Sequence, residues 1–427
     1  MRAEGFLPCR AEPDIWMREN DGIYEYVAVY VDDLAIAVRD PQAFTAILMG
    51  SKYNFKLKGT GPISFHLGCD FYRDEDNVLC MSPRKYLDRL IDAYVRFFGE
   101  KPKQNVWSPL EKGDHPELDD TPFLDIEGIQ KYQSLIGSMQ WAVSLGRFEI
   151  ATAIMTMSSY RSAPREGHLQ RAKRIVQYLA KFRDATIRFR TGEPDYSDLP
   201  ARDEDWNYTV YTDAAEPTPY DAPKPLGKHV VLTHYVDANL YHDWNTGRAV
   251  SGILSMINQT PIDWFSKKQA TVETATYGSE FIATRICVDR AVDLRNTLRY
   301  LGVPLRERDV VFGDNESVVN SSMRIDAKLH KRHNALSFHR VREAIAAGYI
   351  RYFHMPGKNN PADILSKHWG YNDVWSTLQP FLFWRGDTMN IEHTTPRPDT
   401  SHENYDPPTN DTHAPSVSTS YTTVHTI

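Results

Sequence analysis

The second half of the chain alternates short β-rich runs with longer segments of helical periodicity. Three β-rich runs joined by short turns come first, which predicts an antiparallel meander. A helical pattern follows from Thr271 to about Tyr300, in which Val288, Ala291 and Leu298 recur on one apolar face. A strand, helical segments, another strand and a last helix complete the series, and this order predicts a mixed sheet with helices packed on it. The predicted strands are Lys228–Asn239, Arg248–Ile257, Pro261–Gln269, Arg308–Asp314 and Tyr349–His354, and the later helices begin at Asn315, Ala335 and Asn360.

Four acidic residues of this half occupy places from which they can meet. Asp237 ends the first predicted strand, Glu280 lies in the first turns of the long helix, Asp314 follows the fourth strand, and Asp363 lies on the last helix. A single Glu on a helix is usually a solvated surface residue. Four carboxylates at one sheet edge would repel one another, whereas two divalent ions about 4 Å apart would reverse the sign of that interaction. Asp213, which ends the β-rich run Tyr208–Ala215, is a rival for the first position.

The first half contains a hairpin pattern with two adjacent acids. Two β-rich runs between Gly22 and Val38 flank Asp32 and Asp33. Carboxylates at a turn tip are commonly just solvated. Apolar residues on both sides make this an unfavourable place for two charges unless a cation is bound, so Mg²⁺ is the predicted ligand.

Basic residues concentrate on one helical segment. Positive charge outweighs negative charge between Arg161 and Arg190, and the apolar positions between the cations predict that the cations share one helix face. A solvated face and a contact with a nucleic-acid backbone both fit this pattern. The candidates for such a contact are Arg171, Lys173 and Arg174 on this helix and Lys331 and Arg332 on a second basic face that also carries His330, His333 and His339.

The composition of the chain limits the partners and the cellular compartment that it can be expected to have. The 427 residues carry a net charge of −7, so nucleic-acid binding must depend on local basic faces. Four scattered cysteines argue against a zinc site or a disulfide framework and suit a reducing compartment. No apolar run reaches the length of a membrane span or a signal peptide, so we expect neither a membrane partner nor secretion.

Several motifs resemble those of Ty1/copia-type retrotransposon Pol polyproteins. Tyr30-Val31-Asp32-Asp33 resembles the YxDD signature of their reverse transcriptases, and Phe65–Phe71 and Met81–Leu87 resemble the segments that follow it. Ile129–Trp141 and Phe148–Met155 resemble segments of the thumb and connection. The resemblance implies that Asp32 and Asp33 belong to a polymerase metal site.

Further blocks resemble, in order, the ribonuclease H domain that follows the polymerase in these elements. The blocks are Val236–Asn239, Gly247–Gly252, Ile262–Gln269, Ser279–Ala283, Asp314–Val318, Lys331–Glu343 and Ala362–Lys367. The resemblance implies Mg²⁺-dependent cleavage of RNA in RNA/DNA hybrids, with two ions held by Asp237, Glu280, Asp314 and Asp363. Its spacing favours Asp237 over Asp213. His354 is a candidate for assisting product release, or else a strand residue beside the site.

The resemblance predicts a mixed α+β fold in four parts. Residues 1–110 correspond to the C-terminal part of a reverse-transcriptase palm, 111–190 to a helical thumb and connection, and 205–370 to a ribonuclease H-like domain with a mixed five-stranded sheet. Residues 371–427 are expected to be a mostly disordered extension, with a last packed helix within the aromatic segment Trp369–Thr388 and a disordered tail from Asn390 onward. Lys101–Asp125 is expected to be a linker or long loop. Reverse transcriptases need a further metal-binding Asp on an upstream strand, and no segment before Tyr30 matches it, so we expect an incomplete polymerase half.

Three functions remain open at this stage. The first is a Pol fragment with ribonuclease H activity. The second is a non-catalytic transposon relic that at most binds nucleic acid. The third is a polymerase completed by another chain, such as the rest of a Pol polyprotein. The expected location is the cytoplasm, within a transposon particle, or the nucleus.

Overall fold

The computed structural model describes residues 1–200, 211, 213–306, 308–329, 331–386 and 420–426. Its first part is a small sheet with one helix and a core of its own around Phe6, Val27, Ile36 and Phe44. The predicted hairpin is confirmed, since β3 and β4 pair antiparallel across a two-residue turn. The elements are β1 Leu7–Pro8, β2 Ile15–Asn20, β3 Ile23–Tyr30, β4 Asp33–Val38, α1 Pro41–Met49 and β5 Leu57–Lys58.

A second small sheet and four helices follow. The side chain of Asp125 accepts a hydrogen bond from the Gly128 N–H at 2.7 Å and caps the start of the third helix, while Gly99 ends the second helix with a φ of 67°. The small sheet has the order β6-β7-β8-β9. The elements are β6 Phe65–His66, β7 Cys69–Arg73, β8 Leu79–Ser82, α2 Arg84–Phe98, α3 Ile126–Ser144, α4 Ala151–Ser158, α5 Glu166–Lys181 and β9 Ile187–Arg188.

The predicted mixed five-stranded sheet is confirmed in the second half. Its order is β12-β11-β10-β13-β14, with antiparallel pairs from β12 to β10 and parallel pairs from β10 to β14. Nearly every residue of β11 and β13 is buried, because helices cover the sheet. The elements are β10 Leu232–Asp243, β11 Arg248–Ile257, β12 Thr260–Lys268, α6 Thr276–Tyr300, β13 Asp309–Gly313, α7 Glu316–Met323, α8 Ala335–Ala346, β14 Ile350–His354 and α9 Tyr371–Leu382.

Two predicted boundaries in this half are wrong. Asp237 does not end the first strand, because β10 continues to Asp243. The last predicted helix is only a 3-10 segment, Pro361–Leu365, since Asn360 and Pro361 start a turn that closes again at Ser366. Other 3-10 segments of the described chain are Arg2–Glu4, Pro116–Leu118, Phe148–Ile150, Arg332–Asn334 and Gly357–Asn359.

The largest core joins the helical region to the five-stranded sheet. Leu254 on β11 and Ile364 and Leu365 on the 3-10 segment belong to the same buried cluster as residues of α2 to α5 and α9. The Thr152 hydroxyl on α4 donates to the Ile364 carbonyl at 2.9 Å. A second core lies between the sheet and the helices α6 to α8.

Two segments predicted to lack regular structure contribute to the packing. The predicted linker Lys101–Asp125 is mostly irregular, yet Val106 and Leu110 are buried. The helix expected between Trp369 and Thr388 is present as α9 and packs into the large core. In the tail that was predicted to be disordered, Ser420–Thr426 forms a further strand, β15, between β4 and β5. The rest of that extension, residues 387–419 and 427, lies outside the described residues.

Candidate active site

Asp237 lies in the middle of the five-stranded sheet. It is 1% exposed on β10, and its register partners it with Gly252 on β11. On the other side, β10 runs parallel to β13, with Val236 opposite Gly313. Asp314 directly follows Gly313, so the two strands deliver Asp237 and Asp314 to the same edge of the sheet, as predicted.

The 3-10 segment Pro361–Leu365 brings Asp363 over this edge. The Asn360 side chain donates to the Val236 carbonyl at 2.9 Å and accepts from the Ala362 N–H at 3.1 Å, which fixes the segment to β10. Gly252 makes the approach possible, because a Cβ at this position would lie 2.7 Å from the Ala362 carbonyl oxygen. A glycine in a central strand thus allows backbone to lie against backbone.

Glu280 reaches the same place from the helix α6. It is 5% exposed, which excludes the alternative of a solvated surface residue. Burial, and after it the charges of Asp237 and Asp314, raise the pKa of Glu280 well above its usual range. A hydrogen bond from the Ala238 backbone acts in the opposite direction.

Three of the four carboxylates meet closely. Asp237, Asp314 and Asp363 each offer an oxygen, and these oxygens lie within 4.8 Å of one another. Burial and the charge of Asp237 raise the pKa of Asp363 to about 7 and also raise that of Asp314. The charged forms therefore repel one another, and a cation bound between them would relieve that repulsion. Because all donors are carboxylate oxygens on a rigid sheet edge, they suit a hard ion such as Mg²⁺.

The residues after Asp363 complete the site, and sequence reasoning did not single them out. The Ser366 hydroxyl donates a short hydrogen bond to the Asp237 carboxylate. The Lys367 ammonium lies 2.7 Å from Asp363 Oδ1 and 3.5 Å from Asp237 Oδ2. The four-residue spacing from Asp363 to Lys367 is the sequence signal that could have identified this pair.

His354 lies beside the site at the end of β14. Its side chain is exposed, and its Nε2 atom is 3.2 Å from the backbone carbonyl oxygen of Asp314. This contact places the imidazole next to a carboxylate of the cluster without joining it. A role in product release stays a prediction.

The rival carboxylate Asp213 is not part of this group. It is exposed in a turn, and half of the predicted strand Tyr208–Ala215 lies outside the described residues. Within the part of the chain that the structure describes, the close group contains Asp237 and not Asp213.

Asp32 and Asp33 lie at the tip of the β3–β4 hairpin. The expectation that apolar residues enclose this turn is wrong, because Val31 is 83% exposed and Tyr30 is 53% exposed. The two-residue turn after Tyr30 protrudes, which leaves Val31 and Tyr30 largely in contact with solvent. Among the described residues, no group of three close potential metal ligands includes Asp32 or Asp33. Metal binding by this pair stays a prediction.

The basic face of α5 is matched by acids from the segment that was predicted to be a linker and from Glu100 just before it. Arg171 forms ion pairs with Asp114 and Asp119. Lys173 and Arg174 form theirs, at 3.6 and 3.1 Å, with Glu100 and Glu111 respectively. These pairs explain the positive charge of α5 without a nucleic acid, and contact by Arg171, Lys173 and Arg174 stays a prediction.

The second basic face is more open. Arg332 is exposed, and the Lys331 ammonium donates to the Thr274 hydroxyl at 2.8 Å. His333 contacts Glu273 and His339 contacts Tyr211, while His330 lies outside the described residues. Lys331 and Arg332 therefore remain candidates for contact with nucleic acid.

Comparison with known proteins confirms the resemblance drawn from the motifs. The chain is 23% identical over 375 residues to the retrovirus-related Pol polyprotein from transposon TNT 1-94 of Nicotiana tabacum, which covers 86% of this chain and 25% of the relative. It is 23% identical over 363 residues to that of transposon RE1 of Arabidopsis thaliana, covering 85% and 22%. It is 26% identical over 231 residues to a putative transposon Ty5-1 protein of Saccharomyces cerevisiae, covering 53% and 68%. The chain thus spans about a quarter of the length of the two plant relatives.

Solved structures of similar fold include ribonuclease H domains. The N-terminal RNase H domain of a Mycobacterium tuberculosis protein is 17% identical, with 35% of this chain and 98% of that chain covered and a TM-score of 0.26. A foamy viral protease-reverse transcriptase in complex with an RNA/DNA hybrid is 14% identical, covering 40% and 22%, with a TM-score of 0.25. No protein-family model matches the chain. None of the helices in the described part of the chain combines the length and the apolar character that crossing a membrane requires.

Proposed function

We propose that the second half of the chain is a divalent-metal-dependent nuclease that cuts the RNA strand of RNA/DNA hybrids. The observation that carries the proposal is the meeting of Asp237, Asp314 and Asp363 within 4.8 Å at one sheet edge, with Glu280 buried beside them. Similarity to Pol polyproteins supports the choice of substrate.

The position of each residue in the site determines its proposed role. Asp237 lies between the other carboxylates and is the one that both ions would share, with Asp314 on one side and Asp363 on the other. Bound Mg²⁺ ions would supply a nucleophilic water at neutral pH and charge stabilisation for the leaving 3′ oxygen. The Ser366 hydroxyl donates to Oδ2 of Asp237 and holds this carboxylate in place. Glu280, once ionised, completes the negative charge around the cluster.

We place the hybrid across the sheet edge and the face that carries Lys331 and Arg332. An exposed guanidinium and an ammonium suit the phosphates of a duplex, and a hybrid is recognised through its minor groove and the 2′-hydroxyls of the RNA. Those hydroxyls would distinguish the RNA strand from DNA.

The test is hybrid cleavage by the full chain with a labelled RNA strand. We expect Mg²⁺-dependent cleavage of the hybrid and none of a DNA duplex. Asp314→Asn should lower kcat by at least about a hundredfold, because it removes one charge and one ligand from the cluster. Asp293→Asn is the matched control, since Asp293 is exposed on α6 and should be neutral. Equal rates for both variants would reject the assigned site, and binding without cleavage by the unaltered chain would favour the non-catalytic relic.

We also propose that Asp32 and Asp33 need a further carboxylate, supplied by another chain, to act in polymerisation. The described residues place them in no group of three potential ligands. Primer extension by this chain alone, in the presence of Mg²⁺, would contradict the proposal.

A further inference from the structure

Lys367 occupies the region between two of the carboxylates that the proposed function assigns to metal ions. Its Nζ atom is 2.7 Å from Asp363 Oδ1 and 3.5 Å from Asp237 Oδ2. Among the residues that the structure describes, no other Lys, Arg or His side chain lies within ion-pairing distance of the four carboxylates. A divalent ion shared by Asp237 and Asp363 would need about the same space, because its bonds to oxygen are only about 2 Å long.

The backbone around Lys367 holds the start of its side chain in place. The Lys367 N–H donates to the Asp363 carbonyl at 3.1 Å, and the neighbouring Ser366 hydroxyl binds Asp237. The ammonium at the far end is held by its ion pairs with the two carboxylates, and 38% of the side chain is exposed. A cavity of about 300 Å³ adjoins it, lined in part by Asp363, Asp373 and Lys358. The ammonium therefore has room to leave the cluster, and Asp373 is another acid on the same cavity wall.

We propose that Lys367 is a built-in counter-ion that one of the two metal ions must displace. The inference rests on the proposed metal-dependent function and adds to it a difference between the two ion positions. The ion between Asp237 and Asp314 meets no ammonium, whereas the ion between Asp237 and Asp363 replaces Lys367. The second ion then binds more weakly than the first, and the lysine sets the metal concentration at which the site fills. Without metal, the same lysine keeps the carboxylates together.

The test is a titration of the full chain with Mn²⁺, in which free ion is followed by electron paramagnetic resonance. Lys367→Met should tighten the weaker of two binding events by about tenfold or more, since the ion no longer has to displace a positive charge that is paired with the same carboxylates. Lys358→Met is the matched control, because Lys358 lines the same cavity and, within the described residues, forms no ion pair with the cluster. Its binding curve should match that of the unaltered chain.

A second measurement without metal keeps the result independent of catalysis. In excess chelator, Lys367→Met should unfold several degrees below the unaltered chain, whereas Lys367→Arg, which keeps the charge, should lose less. Two Mn²⁺ binding events of unchanged affinity in Lys367→Met would overturn the inference even if hybrid cleavage is found. Lower kcat with unchanged Mn²⁺ affinity would also overturn it, because Lys367 would then act on the substrate. Absence of cleavage with tightened Mn²⁺ binding would reject only the proposed function.

Discussion

Burial, and after it the charge of Asp237, disfavour the ionised form of a single residue, Asp363. Its pKa is about 7 in the folded chain, whereas an unfolded Asp titrates near about 4. The folded state therefore binds the proton of the Asp363 carboxyl group more tightly than the unfolded state does. The stability gained from this proton is complete below about pH 4 and is lost as the pH rises through about 7. Asp363→Asn removes this loss. In chelator, the unfolding free energy of Asp363→Asn should exceed that of the unaltered chain by an amount that grows from about pH 4 to about pH 7. Above that range the difference should stay constant, on the order of 1–3 kcal/mol.

Chemical denaturation at a series of pH values, with chelator present throughout, checks this prediction. Asp293→Asn, on the exposed side of α6, should show no such growth. A loss of stability in Asp363→Asn at pH 8 would contradict the prediction, because the ion pair with Lys367 would then outweigh the repulsion.

Among single residues, the acidic residues of the site could be predicted from the sequence, but the residues that contact them could not. Asp237 and Asp314 were predictable because each lies on a β-rich run, and strand pairing alone brings them to one edge. Glu280 was predictable from the apolar face of α6. The contacts of Ser366 and Lys367 depend on how Pro361–Leu365 lies over β10 and β11, and no local pattern of the sequence specifies that approach.

Among the elements, the 3-10 segment with Asp363 depends on the glycine beneath it. Ala at position 252 would place its Cβ 2.7 Å from both Ala362 O and Leu365 C, and both of these are backbone atoms that cannot rotate away. Gly252→Ala should therefore displace the segment, cost about 1–3 kcal/mol of stability and weaken Mn²⁺ binding together with cleavage.

Thermal unfolding and the Mn²⁺ titration measure both effects. Gly137→Ala is the control, since Gly137 lies within α3 and a Cβ there meets nothing within 4 Å. That substitution should be neutral or stabilise the helix by up to about 1 kcal/mol. Normal Mn²⁺ affinity in Gly252→Ala would show that the segment does not depend on this close approach.

Element types were more predictable than element ends. The strands β11 and β13 follow from short apolar runs bounded by turns, and α6 from its long amphipathic pattern. The end of β10 could not be predicted from the sequence, because Asp237 interrupts the apolar run although the strand continues to Asp243. The single turn at Pro361 shares its starting signal with a true helix, so only its packing against β11 distinguishes the two.

For the whole molecule, the sequence predicts separate parts before and after residue 200, whereas residues from both parts belong to one buried core. Leu254, Ile364 and Leu365 from the second half of the chain are fully buried against helices of the first half and α9. The Trp369 indole also donates to the Glu149 carbonyl at 3.3 Å. Each exposed aliphatic side chain would cost about 1.5–3 kcal/mol, which is large beside the stability of a typical domain. Sequence periodicity assigns a buried face to each element but does not tell which part of the chain covers it.

We therefore predict that a fragment of residues 228–386 does not fold by itself, whereas one of residues 63–386 does. The longer fragment keeps α2 to α5 with the second half of the chain. It omits the small N-terminal sheet, including β15, and the rest of the chain after residue 386, and the core of that sheet around Phe6 and Phe44 is separate. It should elute as a monomer, unfold cooperatively and bind Mn²⁺ like the full chain. The shorter fragment should aggregate or lack a cooperative transition, because the apolar surface that α3 to α5 cover would meet water. Cooperative unfolding and full Mn²⁺ affinity in the 228–386 fragment would mean that the second half of the chain folds independently of the helices that cover it.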